Sequence, residues 1–161
     1  MRIALPRSVG VASLDELLVV TLTSQSAPAD VLSGLSSQMP AGITLLSAAT
    51  LAEGDRSLPC EARYALDIEK TVSESVERCV ARFMSQDCVE VDRIAFKTRS
   101  RKTVNIRQYI LTMDVGRDYL NWTQSITTTG TARLNEVLEA LELPSRRYLH
   151  RIRRVKVSYR P

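Results

Sequence analysis

Basic side chains are the residues whose type and spacing in this chain indicate a chemistry. Arginine presents a planar fork of donors that matches a phosphate group, and lysine presents a compact positive charge. Four basic residues lie within residues 97–102, and a second group crowds the C-terminal segment. The predicted nucleic-acid contacts are Lys97, Arg99, Arg101, Lys102, Arg107, Arg151, Arg153, Arg154 and Lys156. The pattern predicts that the protein binds a phosphate-rich polymer, and RNA is the favoured one.

Charge is distributed unevenly along the 161 residues. Residues 1–92 hold 7 Lys and Arg and 13 Asp and Glu, a net charge of −6, whereas residues 93–161 hold 15 and 5, a net charge of +10. If the fold gathers the cations on one face, that face would attract polyanions and accelerate their association. Two alternatives stay open. The cations could protect an exposed sheet edge from aggregation, or they could meet the acidic face of a protein partner.

Aromatic residues near the cations bear on how the bases of a nucleic acid would be held. Tyr109, Tyr148 and Tyr159 lie close in sequence to arginines, and tyrosine rings are suited to stacking on bases. The sequence contains no Lys/Arg-Gly-Phe-x-Phe pattern of the RNA-recognition motif. Base stacking of that type on a sheet face is therefore not expected.

No set of residues indicates catalysis or metal binding. His150 is the only histidine, and its spacing ties it to no Ser or Cys nucleophile. Asp114 and Asp118 bracket a predicted turn, where aspartate usually bonds its own backbone. The three cysteines lack the close pairing of zinc, redox or iron–sulfur motifs, and no glycine-rich phosphate loop occurs. The sequence predicts no catalytic residues, no metal and no cofactor, so a non-catalytic binding protein is favoured over an enzyme.

Composition bears on where the protein acts. No apolar run approaches the roughly 20 residues needed to cross a bilayer, and the N-terminus is too short in apolar residues for a secretory signal. An odd number of unpaired cysteines suits a reducing compartment. These features predict a cytoplasmic protein without a membrane partner, and they leave the oligomeric state open.

The elements that would carry the cations follow from hydrophobic periodicity. Residues 60–161 read as strand, helix, strand, strand, helix, strand, the order of a ferredoxin-like, split βαβ unit. The first helix carries an apolar stripe at the spacing i, i+3, i+4, i+7. That stripe is Val76, Cys79, Val80 and Phe83. A strand is predicted over 104–113.

Two further predictions for residues 60–161 concern the turn at Gly116 and the closing strand. Gly116 is expected to supply the positive φ of a tight turn. In the closing strand, residues 151–159, alternation places one set of side chains on each face. The two predicted sets are Val155, Val157 and Tyr159 against Arg154, Lys156 and Ser158.

The first third of the chain reads as a shorter version of the same pattern. Residues 1–52 predict strand, strand, helix, strand, with the last strand at 43–51, which is the same unit without its first strand and helix. Polar residues 53–59 form the expected linker. The predicted fold class is α+β with tandem ferredoxin-like (split βαβ) sandwiches, the first incomplete. The predicted domains are 1–55, a partial ferredoxin-like half, and 60–161, a ferredoxin-like unit with a basic face.

Several segments resemble a bacterial family described as radical-SAM-linked proteins, found alone or fused behind a cobalamin-binding radical SAM enzyme. The segments are RIALPRSVGVASLDELLVVTL, PAGITLLSAATL, KTVNIRQYI, ARLNEVLEAL and HRIRRVKV. Asn105 stands where the family pattern has Asp, and the usual N-terminal segment is expected to be lacking. The resemblance implies RNA modification or ribosome-related work with a radical SAM enzyme as partner. The predicted function is a non-catalytic RNA-binding module accessory to such an enzyme. The alternative is a protein–protein adaptor or oligomer subunit that docks through a basic sheet edge.

Overall fold

The computed structural model describes residues 2–6, 8–52, 57–94 and 100–160. In chain order the elements are β1 (Arg2–Ile3), β2 (Ala12–Ser13), β3 (Leu18–Val19), α1 (Pro28–Ser36), β4 (Leu58–Asp67), α2 (Ser73–Ser85), β5 (Glu90–Ile94), β6 (Arg101–Asn105), β7 (Ile110–Val115), β8 (Tyr119–Ser125), α3 (Leu134–Ala140), α4 (Ser145–Tyr148) and β9 (Ile152–Arg160). Short 3₁₀ turns cover Lys70–Val72, Arg107–Tyr109 and Leu149–Arg151.

A five-stranded sheet in the order β2-β9-β4-β8-β7 forms the centre of the protein. Its neighbours pair antiparallel, except that β2 runs parallel to β9. Along the chain, β4, α2, β7, β8, α3 and β9 give strand, helix, strand, strand, helix, strand, and the hairpin β5–β6 is inserted before β7. The α+β class is confirmed. The tandem of two sandwiches is not confirmed, since the described part of residues 2–52 contributes only two-residue strands and α1.

One face of this sheet, the inner face, is buried, and the other, the outer face, is open to solvent. On β4, Ala62, Tyr64 and Leu66 are buried while Arg63 between them is exposed, as the period of a strand requires. The predicted stripe of α2 is confirmed, because all four of its residues are buried in the same core. Residues of α3 complete that core, so both helices cover the inner face.

Strands β5 and β6, Glu90–Ile94 and Arg101–Asn105, form a separate two-stranded sheet that we call the basic arm. The single strand predicted over 104–113 is wrong, because the 3₁₀ turn at Arg107–Tyr109 divides it into β6 and β7. The Asn105 side chain accepts hydrogen bonds from the backbone N–H of Val89 and of Arg107, each at 3.0 Å. These bonds turn the chain so that Ile106 enters the core.

The N-terminal third corrects one prediction. The strand expected at 43–51 is wrong, because these residues belong to no strand in the described structure and Ile43, Leu46 and Leu51 are exposed. Strand β2 of the same third does join the central sheet, where it pairs with β9. Residues 53–56 of the predicted linker lie outside the described residues, and the division into two domains stays a prediction.

Gly116 is required for space rather than for backbone conformation. Its φ is not positive, so the predicted reason for a glycine at this position is wrong. A Cβ atom built on Gly116 would lie 2.2 Å from the Tyr119 ring. The turn between β7 and β8 is therefore tight because this ring lies against it.

Candidate nucleic-acid interface

The basic arm carries two of the predicted contact residues within the described part of the chain, while Lys97 and Arg99 lie outside the described residues. In the β5–β6 register, Arg101 stands opposite Ile94 and Lys102 opposite Arg93. Because consecutive residues of a strand point to opposite faces, these two side chains leave the arm on different sides. Both are exposed, and neither has an ion-pair partner in the described structure.

A buried ion pair fastens the arm to α3. The Arg93 guanidinium donates to both carboxylate oxygens of Glu136, at 2.8 and 2.6 Å, and to the Thr131 carbonyl at 2.7 Å. Glu136 is 5% exposed and also accepts from the Arg133 backbone N–H at 2.9 Å. The hydrogen bonds to Glu136 raise the pKa of Arg93, although burial opposes the shift. The arm is thus held against α3 at the level of Lys102, which stands opposite Arg93.

The cluster around Glu69 neutralises Arg151. Arg151, Arg147 and the Tyr148 hydroxyl donate to the Glu69 carboxylate at 2.6, 2.9 and 2.6 Å. The bond from Tyr148, followed by that from Arg151, lowers the pKa of Glu69 to about 2. Both guanidinium groups lie over the Tyr148 ring, 5.5 and 5.4 Å from its centroid. These contacts favour a structural role for Arg151.

Arg153 and Arg154 are also paired within the chain. Arg153 donates to Asp67 at 2.8 Å on the surface. Arg154 is 1% exposed, donates to the Leu5 carbonyl at 2.7 Å and pairs with Glu16. The prediction that Arg154 and Lys156 share one face of β9 is therefore wrong, because Arg154 is buried and Lys156 is exposed.

A β-bulge explains why the alternation rule failed for Arg154. Tyr64 of β4 stands opposite Arg154, yet Arg63 stands opposite Lys156, so Val155 is an extra residue in β9. Such an extra residue changes the phase of the strand. Ile152 and Arg154 point inward before the bulge, and Val157 does so after it.

Arg107 and two of the predicted stacking tyrosines belong to the interior. The Arg107 guanidinium donates to the carbonyls of Ile110 and Met84 at 2.9 and 3.2 Å, and lies 5.9 Å from the centroid of Phe83. It thereby joins the end of α2 to the start of β7. Tyr109 and Tyr148 are buried, so the expectation that they stack on bases is wrong.

Lys156 is exposed on the outer face of the sheet, and Arg63 lies directly opposite it on β4. Arg63 was missed in the sequence because it stands alone among apolar and acidic neighbours. The alternation of Tyr64, Leu66 and Ile68 was the signal that could have found it, since Arg63 must then face outward. Of the predicted residues that the structure describes, Arg101 and Lys102 lie on β6, Arg107 and Arg151 lie in 3₁₀ turns, and Arg153, Arg154 and Lys156 lie on β9. These described residues do not form one continuous platform.

A family model described as "Uncharacterized protein conserved in bacteria (DUF2344)" matches residues 1–141, and the chain belongs to this family. No curated protein and no solved structure matches it. Within residues 2–6, 8–52, 57–94 and 100–160, no helix has the length and apolar character to span a membrane. The same residues contain no cluster of three or more His, Cys, Asp or Glu side chains that could hold a metal ion.

Proposed function

We propose that this DUF2344 protein is a non-catalytic RNA-binding module whose main phosphate-contacting element is the basic arm. The observation that carries the proposal is that Arg101 and Lys102 are exposed and lack ion-pair partners in the described structure, on a ribbon that the pair Arg93–Glu136 holds against α3. Lys97 and Arg99 belong to the same hairpin in sequence. Arginine and lysine side chains held in this way are suited to phosphate groups.

The shape of the arm supports a helical or looped RNA as its target. A two-stranded ribbon is narrow enough to lie along a nucleic-acid groove. Arg101 and Lys102 point to opposite sides of that ribbon, and Lys102 shares its side with Arg93, which pairs with Glu136. The side of Arg101 is therefore the more open one toward a groove. No aromatic pattern for base readout accompanies them, and shape and phosphate contacts dominate recognition of double-stranded RNA.

The contact set that supports the proposal is smaller than the sequence predicted. Arg151, Arg153 and Arg154 would have to break ion pairs with Glu69, Asp67 and Glu16 before meeting a phosphate. Removing a partner from a buried charge is costly, which makes Arg154 the poorest candidate. The proposed set is Lys97, Arg99, Arg101 and Lys102.

We also propose the finer assignments that the resemblance implies. The unit from β4 to β9 has the connectivity and strand order that a ferredoxin-like sandwich requires, with the arm as an insertion. A radical SAM enzyme that modifies RNA stays the proposed partner, and the protein would present RNA to it. Co-purification of the two proteins with and without ribonuclease would test whether RNA bridges them.

The experiment that tests RNA binding compares two double variants. R101Q/K102Q removes two exposed cations of the described arm. K70Q/R78Q removes two exposed cations, one in the 3₁₀ turn before α2 and one on α2, so the net charge change is matched. Binding of a stem-loop RNA is measured by fluorescence anisotropy between 50 and 200 mM salt. R101Q/K102Q should lower the slope of log K against log salt by about 2, one unit for each lysine or arginine lost.

Two results would count against the proposal. Wild-type affinity and slope in R101Q/K102Q would exclude the arm as the phosphate contact. An equal loss in K70Q/R78Q would show that net charge, not the arm, is responsible, because both variants lose the same two charges.

A second candidate function, a protein–protein adaptor, is favoured by apolar exposure in the N-terminal third. Large exposed hydrophobic residues there are Ile3, Val9, Leu14, Leu22, Ile43, Leu46 and Leu51. Helix α1 has no buried residue. Such exposure is characteristic of surfaces that meet another protein. Light scattering after size exclusion, with ribonuclease present, would show whether the chain self-associates without RNA.

A further inference from the structure

The outer face of the five-stranded sheet carries a row of hydrogen-bond donors that the basic arm does not include. In register across β9, β4, β8 and β7, the row consists of Lys156, Arg63, Thr123 and Thr112. Three of its members are exposed and Thr123 is half-buried. Neighbouring strands lie about 4.8 Å apart, so the row extends over about 14 Å. We call it the outer row.

Two cations stand directly opposite each other in this row, which is unfavourable in the free protein. Like charges at facing positions of an antiparallel pair destabilise the sheet. Neither Arg63 nor Lys156 makes an ion pair with a described residue. The acidic residues Glu61, Asp67 and Asp114 share this face, but none makes an ion pair with Arg63 or Lys156 in the described structure. Glu61 is two residues before Arg63 on β4, Asp67 is paired with Arg153, and Asp114 stands opposite Asn121. An anion placed between Arg63 and Lys156 would remove their repulsion.

The bulge at Val155 is what puts Lys156 in the row. In a regular strand Arg154 and Val157, which are three residues apart, would point to opposite faces and could not both be buried. The extra residue lets β9 bury both and still present Lys156 beside Arg63 on the outer face. Bulges commonly occur where a strand must redirect a side chain toward a functional surface.

A groove accompanies the row. It has a volume of about 390 Å³ and is lined by Arg63, Thr112, Asn121, Thr123, Val155 and Asp114, among others. Its donors are a guanidinium, two hydroxyls and an amide, with Lys156 adjacent in register. This donor set matches phosphate oxygens, and the carboxylate of Asp114 also lines the groove.

We propose that the outer row binds the phosphate backbone of a single-stranded RNA segment that continues from the RNA held by the basic arm. The inference rests on the proposed function and assigns it a second contact surface. Single-stranded binding without aromatic platforms relies on the phosphates. The row would therefore bind single-stranded RNA with little base preference.

The test separates the two surfaces by the RNA used. One RNA is a stem-loop, and the other is the same stem-loop with a single-stranded extension of about 12 nucleotides, within the usual site size for one domain. R63Q/K156Q should leave the stem-loop affinity unchanged and reduce the affinity for the extended RNA by about 10–30-fold near 100 mM salt, with a slope lower by about 1.4. R101Q/K102Q should weaken both RNAs, and K70Q/R78Q neither.

Further measurements report directly on the residues of the outer row. Amide resonances of Thr112 and Thr123 should shift with the extended RNA and not with the stem-loop, and T112V/T123V should weaken only the extended RNA. At low salt, R63Q should raise Tm relative to the wild type because it removes the like-charge contact, and that difference should shrink as salt is added.

Each failure has a distinct meaning. If the single-stranded extension does not raise the affinity of the wild type, or raises the affinity of R63Q/K156Q equally, the proposal that the outer row binds RNA is overturned. The proposal for the basic arm is then unaffected. Loss of extension binding only in R63Q/K156Q, with R101Q/K102Q equal to wild type, supports the row and overturns the arm. Inorganic phosphate that shifts Thr112 and Thr123 while the extended RNA does not would assign the row to free phosphate and reject the RNA proposal.

Discussion

Replacing Glu136 by glutamine should release the basic arm and destabilise the protein. Glu136 is 5% exposed and accepts two hydrogen bonds from Arg93 and one from the Arg133 backbone N–H. Glutamine keeps the volume of the side chain and one acceptor oxygen, but removes the negative charge. The Arg93 side chain, 16% exposed, would then hold an uncompensated charge in a mostly buried position.

The magnitude follows from the cost of leaving a buried charge without its partner. That cost is typically about 3–5 kcal/mol, and the residual exposure of Arg93 places E136Q at the lower end, about 3 kcal/mol. For a chain of this length the loss corresponds to a fall in Tm of about 6–12 °C. R93M/E136L should be less destabilised than either single variant, because apolar residues of similar volume can replace a buried pair at little cost.

These values are measured by urea denaturation of E136Q and of the double-mutant cycle formed by wild type, R93M, E136L and R93M/E136L. E142Q is the matched control, since it makes the same chemical change in the exposed pair Arg82–Glu142 and should leave stability unchanged. Hydrogen exchange of residues 90–105 should accelerate in E136Q and stay at the wild-type rate in E142Q. A cost below about 0.5 kcal/mol for E136Q, or additive effects of R93M and E136L, would refute the reasoning.

Three further predictions concern single positions. G116A should cost about 1 kcal/mol, because the Tyr119 ring must leave its rotamer to make room for the Cβ atom; wild-type stability in urea would contradict it. G34A should stabilise α1 by about 0.5–1 kcal/mol, since no atom lies within 4 Å of the added carbon; a lower helix content by circular dichroism would contradict it. E69Q should make the free energy of unfolding less sensitive to acid. The pKa of Glu69 in the folded protein, about 2, lies below the ordinary value of 4.5. The stability that Glu69 contributes is therefore complete above pH 4.5 and is lost as the pH falls toward 2. Parallel stability–pH curves of E69Q and wild type over that range would show that Glu69 is not responsible.

The sequence predicted those elements whose packing depends on a simple period. The stripe of α2 is buried residue for residue, and on β4 the residues Ala62, Tyr64 and Leu66 are buried in alternation. Both segments repeat without interruption, so this part of the core was predictable from apolar spacing alone.

The failures occur where a local rule depends on a distant partner. Residues 43–51 have the composition of a strand, but a strand requires a neighbour that supplies a hydrogen-bonded ladder. The bulge at Val155 depends on how β9 meets β4, so the burial of Arg154 could not be derived from β9 alone. Gly116 likewise depends on the Tyr119 ring, which no turn propensity describes.

The change of sign along the chain has a different meaning in the fold than it had in the sequence. The acidic residues Glu16, Asp67 and Glu69 belong to the negative first part, and their partners Arg147, Arg151, Arg153 and Arg154 belong to the positive second part. Many of the opposite charges of the two parts are therefore joined in ion pairs, which link β9 and the turn before it to the end of β4 and to the N-terminal segment. A basic stretch in sequence indicates a binding surface only after such internal partners are subtracted. Several described cations keep no ion pair after that subtraction. Among them, Arg101 and Lys102 lie together on the arm and Arg63 and Lys156 stand opposite each other in the outer row, which is why the proposals rest on these four residues.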